Sequence, residues 1–450
     1  MITSVNPYTG EEIYSFQPLN SSEIKNKIDH GDTVFKQWKQ TSFKERASLM
    51  KNAGNVLRTK KEHYGKVISE EMGKPLKQAI SEIEKCAWVC DFYAENAEGF
   101  LANEEITSDA QESYVSYEPL GVLLAVMPWN FPFWQVFRFA APALMAGNAA
   151  VLKHASNVME SANNIQEVFE EAGFPKGLFQ NLVIGSDKVE EIIRNEKIKA
   201  VTLTGSKPAG SSVASIAADE IKKAVLELGG NNAFIVMKDA NLENAVAVGV
   251  NARYQNTGQS CIAAKRLLLH EDIADEFLKN YLDKVKSLKS GDPMEEETYI
   301  GVMAKESLAK ELEAQVKKSV EMGAKLLLGG KRKDAYFEPT ILSDVTEDMP
   351  VFEEETFGPV IAVKTFKTIE EAIELSNNSK FGLGVSLFTK DTEMAKKIAP
   401  QFNEGAVFIN ELVKSDPRLP FGGVKISGFG RELSSFGIKE FVNIKTVYVK

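Results

Sequence analysis

The chain contains few of the residues that many sites and scaffolds require. Its 450 residues include only three cysteines, four histidines and four tryptophans. An odd, sparse set of cysteines makes no disulfide framework. The scattered histidines give no metal-ligand spacing, and neither a Ser-His-Asp motif nor a P-loop is present. We therefore expect free thiols, a reducing compartment and no bound metal. The histidines are His30, His63, His154 and His270.

Long apolar runs and excess positive charge are also missing. Leu120–Val126 is too short to span a bilayer, and Phe139–Leu152 is interrupted by Pro142, Gly147 and Asn148. The N-terminus lacks the basic and apolar regions of a signal peptide. A net charge of −10 argues against non-specific binding to nucleic acid or anionic membranes. We expect a cytoplasmic protein with no nucleic-acid or membrane partner.

The composition is that of an ordinary globular chain, 44% apolar and 26% charged. A chain of this length favours two or three domains. Short apolar runs alternate with longer segments of helical period, which predicts an α/β fold with largely parallel sheets. The first hundred or so residues are predicted to be helical only. The predicted strands are Val122–Met127, Ala149–Lys153, Ala200–Thr204, Ala224–Leu228, Ala233–Met237, Arg266–His270, Val360–Thr365, Val385–Phe388 and Ala406–Asn410.

Two further segments, Gln111–Glu118 and Lys445–Lys450, alternate polar with apolar residues outside these runs. They could pair with each other or with a neighbouring subunit, because an edge strand offers unpaired backbone groups. A surface hairpin is the simpler alternative, and we favour oligomerisation.

Cys261 closes the run Asn256-Thr257-Gly258-Gln259-Ser260-Cys261. A free cysteine is usually a small buried hydrophobic residue. Its neighbours here are poor core residues and good loop residues, and a thiolate is a strong nucleophile. Burial and catalysis are about equally supported by this local sequence.

Glu227 lies in the apolar run Ala224–Leu228, which predicts a buried strand, and Gly229-Gly230 follows. A lone carboxylate there costs several kcal/mol unless it is paired or used. It could pair with Lys222 or Lys223, or it could be a base whose pKa is raised by burial.

Asn130 lies in the rigid turn Pro128-Trp129-Asn130-Phe131-Pro132, after an apolar strand. Its amide could donate to an oxyanion, or it could only satisfy the local backbone as an Asx turn. Without other motifs the Asx turn is favoured.

Two strand ends resemble ligand sites. Lys153 ends one predicted strand, and Thr204-Gly205-Ser206 leads from another strand into a helix of small residues. Ligands bind at the carboxyl ends of parallel strands, and phosphates bind at helix N-termini. The chain has no GxGxxG fingerprint, so a dinucleotide site is only weakly indicated by these features alone.

Taken together, the motifs resemble those of the aldehyde dehydrogenase superfamily, and most closely its short bacterial succinate-semialdehyde dehydrogenases. The resemblance extends from Asn6 to the C-terminus. It rests on Pro128–Pro132, Thr204–Gly210, Leu226–Gly230, Asn256–Cys261, Glu355–Pro359 and Pro420–Lys425. Six motifs in the expected order make a chance match very improbable.

The resemblance implies a three-part subunit with two parallel-sheet α/β domains. A Rossmann-like NAD(P)-binding domain without GxGxxG would comprise residues 1–108 and 122–229, and a catalytic domain would comprise 230–430. A small β oligomerisation region would comprise 109–121 and 431–450, and a homodimer or homotetramer is implied.

The resemblance also implies residue roles. Cys261 would attack the aldehyde, the Asn130 amide and the Cys261 N–H would stabilise the oxyanion, and Glu227 would activate water. Hydride transfer to the nicotinamide would leave a thioester. The other residues implied to contact NADP or NAD are Trp129, Lys153, Ser156, Gly185, Gly205, Ser206, Leu228, Glu355 and Phe357.

Departures from the family pattern concern the cofactor and the substrate. Ser156 replaces the glutamate of strictly NAD-dependent members, so we expect NADP to be accepted, with NAD as a possible substitute. Arg138 matches an arginine that binds a substrate carboxylate, for which a bidentate guanidinium is suited. The second such arginine, six positions before Cys261, is Gln255 here, and Arg253 or Arg418 could compensate.

The leading prediction is oxidation of succinate semialdehyde to succinate. One alternative keeps the fold and changes the substrate to a neutral aliphatic, aromatic or hydroxy-aldehyde. A catalytically silent structural protein is a further alternative, and the presence of Cys261 and Glu227 argues against it.

Overall fold

The computed structural model describes all 450 residues. The helices are α1 Ser21–Trp38, α2 Phe43–Thr59, α3 Lys61–Met72, α4 Leu76–Phe100, α5 Trp134–Met145, α6 Met159–Glu171, α7 Val189–Arg194, α8 Lys207–Asp219, α9 Leu242–Tyr254, α10 Ala274–Lys286, α11 Glu306–Glu321, α12 Pro350–Glu353, α13 Ile369–Asn377, α14 Thr392–Ile398 and α15 Ser434–Lys439.

The strands are β1 Ile2–Val5, β2 Glu12–Phe16, β3 Glu104–Glu105, β4 Glu112–Pro119, β5 Val122–Met127, β6 Ala149–His154, β7 Phe179–Asn181, β8 Ile198–Thr204, β9 Lys223–Glu227, β10 Asn232–Val236, β11 Ala264–His270, β12 Lys325–Leu328, β13 Arg332–Lys333, β14 Tyr336–Phe337, β15 Thr340–Ser343, β16 Val360–Phe366, β17 Val385–Phe388, β18 Val407–Ile409, β19 Gly428–Phe429 and β20 Val442–Val449.

The first large sheet has six strands in the order β19-β9-β8-β5-β6-β7. All its pairings are parallel except β19 with β9. Its central strand β5 reads VLLAVM and is almost wholly buried, as expected where helices cover both faces. A core of 71 buried residues joins this sheet to the N-terminal helices. The carboxyl ends of β5, β6, β8 and β9 therefore meet at one edge, where ligands bind in such sheets.

The second large sheet has seven strands in the order β12-β15-β16-β11-β10-β17-β18, and only β12 runs antiparallel to its neighbour. Successive residues of β10 point to opposite faces. Ala233 and Ile235 join a core of 24 buried residues, whereas Phe234 and Val236 join a separate core of 20. Both faces of this sheet are therefore covered, and the α/β class with two largely parallel sheets is confirmed.

A small third sheet has the order β20-β4-β3. Strands β4 and β20 pair antiparallel along their full length, from Val442 opposite Pro119 to Val449 opposite Glu112. The two alternating segments of the sequence therefore pair with each other. Ile444, Tyr448 and Val449 on β20 remain exposed.

Several features differ from the sequence-based expectation. The first hundred residues are not helical only, since β1 and β2 form an antiparallel hairpin at the start. Helices α3, α5, α12 and α15 and strands β3, β7, β12, β13, β14, β15 and β19 were not predicted. Strand β19 lies within the range 230–430 assigned to the catalytic domain, but it pairs with β9 of the first sheet. The chain thus returns to the first sheet before residue 430, and the domain ranges otherwise stay a prediction.

None of the helices combines the length and the apolar character needed to cross a bilayer. No group of three or more His, Cys, Asp or Glu side chains is arranged to hold a metal ion. All three cysteines are free thiols, and Cys86 and Cys90 are fully buried in the first core.

Candidate active site

The loop that carries Cys261 has an unusual backbone. Asn256, Thr257 and Gly258 follow α9 and have φ values of 56°, 53° and 72°. Consecutive left-handed residues cost free energy and persist only where the surroundings hold them. Here the Asn256 side chain donates to the carbonyls of Asn130 and Gln259, at 2.9 and 3.0 Å. The loop is thus tied to the Pro128–Pro132 turn of the first sheet.

Cys261 itself is only partly exposed and is set among charged groups. Burial raises the pKa of its thiol to about 11, Lys265 and Arg138 oppose that rise, and Glu355 and Glu227 add to it. The resting side chain is therefore a thiol at neutral pH. The Cys261 backbone N–H has no acceptor among the loop hydrogen bonds of the chain, so it is free to donate to a bound oxygen.

The side chain of a buried lysine, Lys265, holds the backbone of this loop. Lys265 Nζ donates to the carbonyl oxygens of Ser260 and Cys261, at 2.8 and 2.9 Å. It also pairs with Glu355, whose Oε1 lies 3.1 Å away and accepts from the Gly230 N–H. Lys265 therefore connects the nucleophile loop to Glu355.

Glu227 ends β9 and is 2% exposed. Neither carboxylate oxygen has a hydrogen-bond partner in the protein. Desolvation raises the pKa of Glu227 well above its usual value, Glu432 adds to the rise, and Arg138 opposes it. A buried carboxyl group that makes no structural hydrogen bonds is suited to proton transfer.

The lysine pairing considered for Glu227 is wrong. Lys222 Nζ donates to the carbonyls of Ile193 and Asn195, at 2.5 and 2.7 Å. Lys223 pairs instead with Glu440 at 2.7 Å. No lysine therefore neutralises the Glu227 carboxyl group.

Asn130 is not part of a simple Asx turn. Its Nδ2 donates to Gln259 O at 3.1 Å, and its Oδ1 accepts from Gln135 Nε2 at 3.1 Å. His154 supports the same turn by contacting Pro132 O through Nε2 at 2.9 Å, and burial lowers the pKa of His154 to about 4. The Asn130 amide is therefore held beside the Cys261 loop, and one of its two N–H groups is not used by that bond.

The cofactor residues predicted from the sequence lie at the carboxyl edge of the first sheet. Helix α8 begins after Ser206, its N-cap makes no side-chain hydrogen bond, and Ser206 is exposed. Lys153 is the penultimate residue of β6, is mostly buried, and makes no hydrogen bond or ion pair with the protein. Burial and the charge of Lys305 lower the pKa of Lys153, and Asp187 opposes them. Free helix N–H groups and an unpaired buried cation fit the phosphates of a dinucleotide.

The remaining predicted cofactor residues fall into two places. Gly185 precedes the short turn Ser186–Lys188 beyond β7, and exposed Ser156 follows Lys153 in the chain. Trp129 and Phe357 meet edge to face, with ring centroids 5.7 Å apart, and Lys265 Nζ lies 5.9 Å from the centre of the Phe357 ring. Leu228 follows Glu227, and its side chain lies where a Cβ on Gly210 would come within 2.7 Å.

A cavity of about 890 Å³ opens onto Cys261. Its aromatic lining comes from Phe131, Trp134, Tyr299 and Phe421, and Gln135 and Arg138 of α5 also face it. A cleft that combines aromatic walls with polar and charged side chains beside a nucleophile suits a small polar ligand.

Arg138, the predicted substrate-binding residue, lines this cavity, but its guanidinium is not free. Its Nε is paired with Glu432, and its Nη2 donates to Thr204 Oγ1 at 3.3 Å. The guanidinium also lies 4.6 Å from the centre of the Phe421 ring. A substrate carboxylate at Arg138 would therefore meet a cation whose charge is already shared with Glu432.

The two arginines proposed to compensate for Gln255 do not do so. Arg253 is fully buried and donates to the carbonyls of Gly258, Thr356, Gly358 and Ala264. Arg418 is held by Asp416 through Nε and Nη2, at 2.8 and 2.6 Å, and lies over the Trp88 ring. Neither guanidinium is available to the cavity.

Several residues of the site were not identified from the sequence. Glu432, Lys265 and Ser415 have no local pattern that indicates their role. Helix α4 does carry a signal, because its cavity-lining residues Gln78, Ser81, Glu82 and Lys85 recur at three- and four-residue spacing. That row of polar side chains on one helix face would have indicated that Lys85 faces a site.

A thiol in a strained loop and a separate buried carboxyl group, close to the carboxyl edge of a parallel sheet, define a candidate thiol-dependent enzyme site. The sequence matches the model of the aldehyde dehydrogenase family over residues 1–447. The chain belongs to the aldehyde dehydrogenase family.

Individual relatives are similar over the whole chain. A probable NADP(+) succinate-semialdehyde dehydrogenase of Synechocystis sp. is 48% identical over 100% of this chain and 99% of its own. An NAD(P)+ succinate semialdehyde dehydrogenase of Escherichia coli is 45% identical over 99% of this chain and 97% of its own. The crystal structure of succinic semialdehyde dehydrogenase from Streptococcus pyogenes with NADP+ is 35% identical, covers 100% of both chains and has a TM-score of 0.97.

Proposed function

We propose that this enzyme oxidises succinate semialdehyde to succinate with NADP, or with NAD as a substitute, through a thioester on Cys261. The observation that carries the proposal is the pairing of a loop-borne thiol with a buried carboxyl group that has no structural partner. The 45–48% identity to succinate-semialdehyde dehydrogenases supports the substrate and the cofactor.

The first step forms a carbon–sulfur bond. Because the thiol is protonated at neutral pH, its proton passes to the Glu227 carboxylate as Cys261 Sγ attacks the aldehyde carbon. Glu227 then gives this proton to solvent before the last step. The carbonyl oxygen becomes an oxyanion that can accept from the Cys261 N–H and the Asn130 amide. Each such donor contributes on the order of 10²–10³-fold to the rate in comparable sites.

The carboxyl edge of the first sheet would hold the dinucleotide. Gly205 and Ser206 would meet the pyrophosphate, Lys153 and Glu355 the ribose hydroxyls, and Gly185 the adenine side. Trp129, Leu228 and Phe357 would flank the nicotinamide end. When bound, the nicotinamide supplies the hydride acceptor that turns the thiohemiacetal into a thioester.

The last step releases the acid. Glu227 takes a proton from water, the water oxygen attacks the thioester carbon, and the Cys261 sulfur leaves. The raised pKa of Glu227 brings the carboxyl group toward the range in which a general base is effective. Because the base must be ionised, this step becomes faster as the pH rises.

The preference for NADP follows from charge near the adenosine ribose. Ser156 brings no carboxylate, and Lys153 is an unpaired cation beside it. A 2′-phosphate would therefore meet attraction rather than repulsion.

A neutral aldehyde is the second candidate substrate, because aromatic side chains form part of the cavity wall. The test is to measure kcat/KM for succinate semialdehyde, acetaldehyde and benzaldehyde with NADP and with NAD. The proposal predicts that succinate semialdehyde with NADP is the preferred pair. An equal or higher kcat/KM for a neutral aldehyde contradicts it, and Arg138→Ala should weaken the preference.

The oligomer and the compartment are part of the proposal. We expect a homodimer or homotetramer built on β20, since Ile444 and Tyr448 offer exposed apolar area on one of its faces. Three free thiols suit the cytoplasm. Light scattering of the pure protein measures the assembly, and a monomer at micromolar concentration contradicts it.

A further inference from the structure

Lys85 lies on the wall of the cavity that opens onto Cys261. It is half-buried on α4, and its Nζ donates to Ser415 Oγ at 2.9 Å. The same Nζ lies 4.1 Å from the centre of the Trp134 ring. Trp134 Nε1 also donates to Ser415 Oγ, at 2.9 Å. The ammonium group is therefore held in one place, which lowers the entropic cost of using it to bind a ligand.

The charge of Lys85 has no carboxylate partner, although acidic side chains are close. Glu82 is paired with Lys74 and accepts from the N–H groups of Phe133 and Trp134. Asp416 is occupied by Arg418. No carboxylate oxygen lies within 4.0 Å of Lys85 Nζ, whereas Lys414 on the same cavity is paired with Glu411. Lys85 is thus a partly dehydrated cation without an anion.

The nearest cation to consider is Arg138. Burial and the charge of Arg138 lower the pKa of Lys85 to about 8, and Glu82 and Asp416 only partly oppose them. Arg138 shares its own charge with Glu432. Lys85 and Arg138 are therefore neighbouring cations on this wall, and only Arg138 is paired with a carboxylate. An entering anion would relieve their repulsion.

We propose that Lys85 is the second cation that binds the carboxylate end of the substrate, in the role that an arginine at position 255 would otherwise fill. The carboxylate would lie between Lys85 Nζ and the cavity side of Arg138. Ser415 Oγ accepts two hydrogen bonds, so its own O–H remains free to donate to the same group. This inference rests on the proposed succinate semialdehyde activity.

The test compares Lys85→Met with the wild-type enzyme on succinate semialdehyde and on butanal, which has the same number of carbons and no carboxylate. In Lys85→Met, the charge-assisted hydrogen bond between Lys85 and the substrate carboxylate is lost for succinate semialdehyde. Butanal has no carboxylate and never makes this bond. We expect KM for succinate semialdehyde to rise on the order of 10- to 100-fold with a smaller change in kcat. For butanal, kcat/KM should be unchanged or higher.

Two control variants separate specific binding from general attraction. Lys85→Arg keeps the charge and should retain most of the preference for the charged substrate. Lys77 lines the same cavity, is exposed and has no ion-pair partner. Lys77→Met should therefore change KM less than threefold, because solvent screens its charge.

Each outcome has a distinct meaning. If wild-type enzyme prefers butanal, the proposed function fails. If wild-type enzyme prefers succinate semialdehyde and Lys85→Met keeps that preference, or loses activity on both substrates equally, the function stands and the role of Lys85 is refuted.

A second measurement needs no variant. Acetylation of wild-type lysines by acetic anhydride, followed by peptide mass spectrometry, should label Lys85 in the free enzyme. Saturating succinate should protect Lys85 and leave Lys77 labelled. Equal labelling of Lys85 with and without succinate would overturn the proposal even if Lys85→Met did not fold.

Discussion

The ion pair between Arg138 and Glu432 gives the most quantitative prediction about the site. Both side chains are nearly inaccessible, at 3% and 4% exposure, and Glu432 has no partner other than Arg138. Removing one member of such a pair leaves an uncompensated buried charge and costs about 3–5 kcal/mol. Replacing both by apolar side chains of similar size is close to neutral.

The two single variants should differ in how their free energy of unfolding depends on pH. In Glu432→Met the remaining guanidinium cannot lose its proton, so the full cost stays at all accessible pH values. In Arg138→Met the carboxyl group can take up a proton, because burial already raises the pKa of Glu432 and Arg138 is what lowers it. The native state then binds more protons than the unfolded state. The stability of Arg138→Met therefore falls as the pH rises from about 5.

The assay is urea unfolding of the wild type, the two single variants and the double variant Arg138→Met/Glu432→Met at pH 5.5 and pH 8. We expect a coupling free energy of about 3 kcal/mol or more at pH 8, with the double variant near the wild type. Single-variant effects that add within about 0.5 kcal/mol would refute the buried pair.

Three further predictions concern the nucleophile and the cofactor. In enzyme without cofactor, alkylation of Cys261 by iodoacetamide should follow a pKa of about 11 and rise roughly tenfold per pH unit from 7 to 10, and a plateau below pH 9 would contradict this. Lys265→Met should raise that pKa further and lower the free energy of unfolding by about 1–3 kcal/mol, because carbonyl acceptors and Glu355 lose their partner. An unchanged pH dependence of alkylation would show that the charge of Lys265 does not affect the pKa of the Cys261 thiol. Ser156→Glu should raise KM for NADP on the order of tenfold or more and affect NAD less, since the new carboxylate would repel a 2′-phosphate. Equal effects on both cofactors would place that phosphate elsewhere.

Local sequence pattern was sufficient for much of the fold. The strands Val122–Met127 and Val385–Phe388 have the predicted bounds, because each is a short, largely apolar run between turn residues. Helix α5 was missed because all of its residues are buried and Pro142, a residue that usually ends a helix, lies inside it. Helix α3 was missed because it follows α2 after a single residue.

The individual reactive residues of the site could be predicted from the sequence, but the contacts between side chains could not. Cys261, Glu227 and Asn130 stand in short motifs whose composition is unusual for a core. The partners of Arg138 and Lys85, Glu432 and Ser415, come from about three hundred residues later in the chain, and only folding brings them together. Sequence therefore suggested which residues react. It could not distinguish a cation that is free for substrate from one that is already paired, as Arg253 illustrates.

The most direct test of the central claim uses Glu227→Gln, succinate semialdehyde and NADP in a stopped-flow experiment. If Cys261 makes the thioester and Glu227 brings the water, one equivalent of NADPH should form per active site. Turnover should then slow by on the order of 10²–10⁴-fold. Intact-mass spectrometry should find one acyl group on Cys261. Steady turnover near the wild-type rate, or a burst without an acyl adduct, would contradict the account.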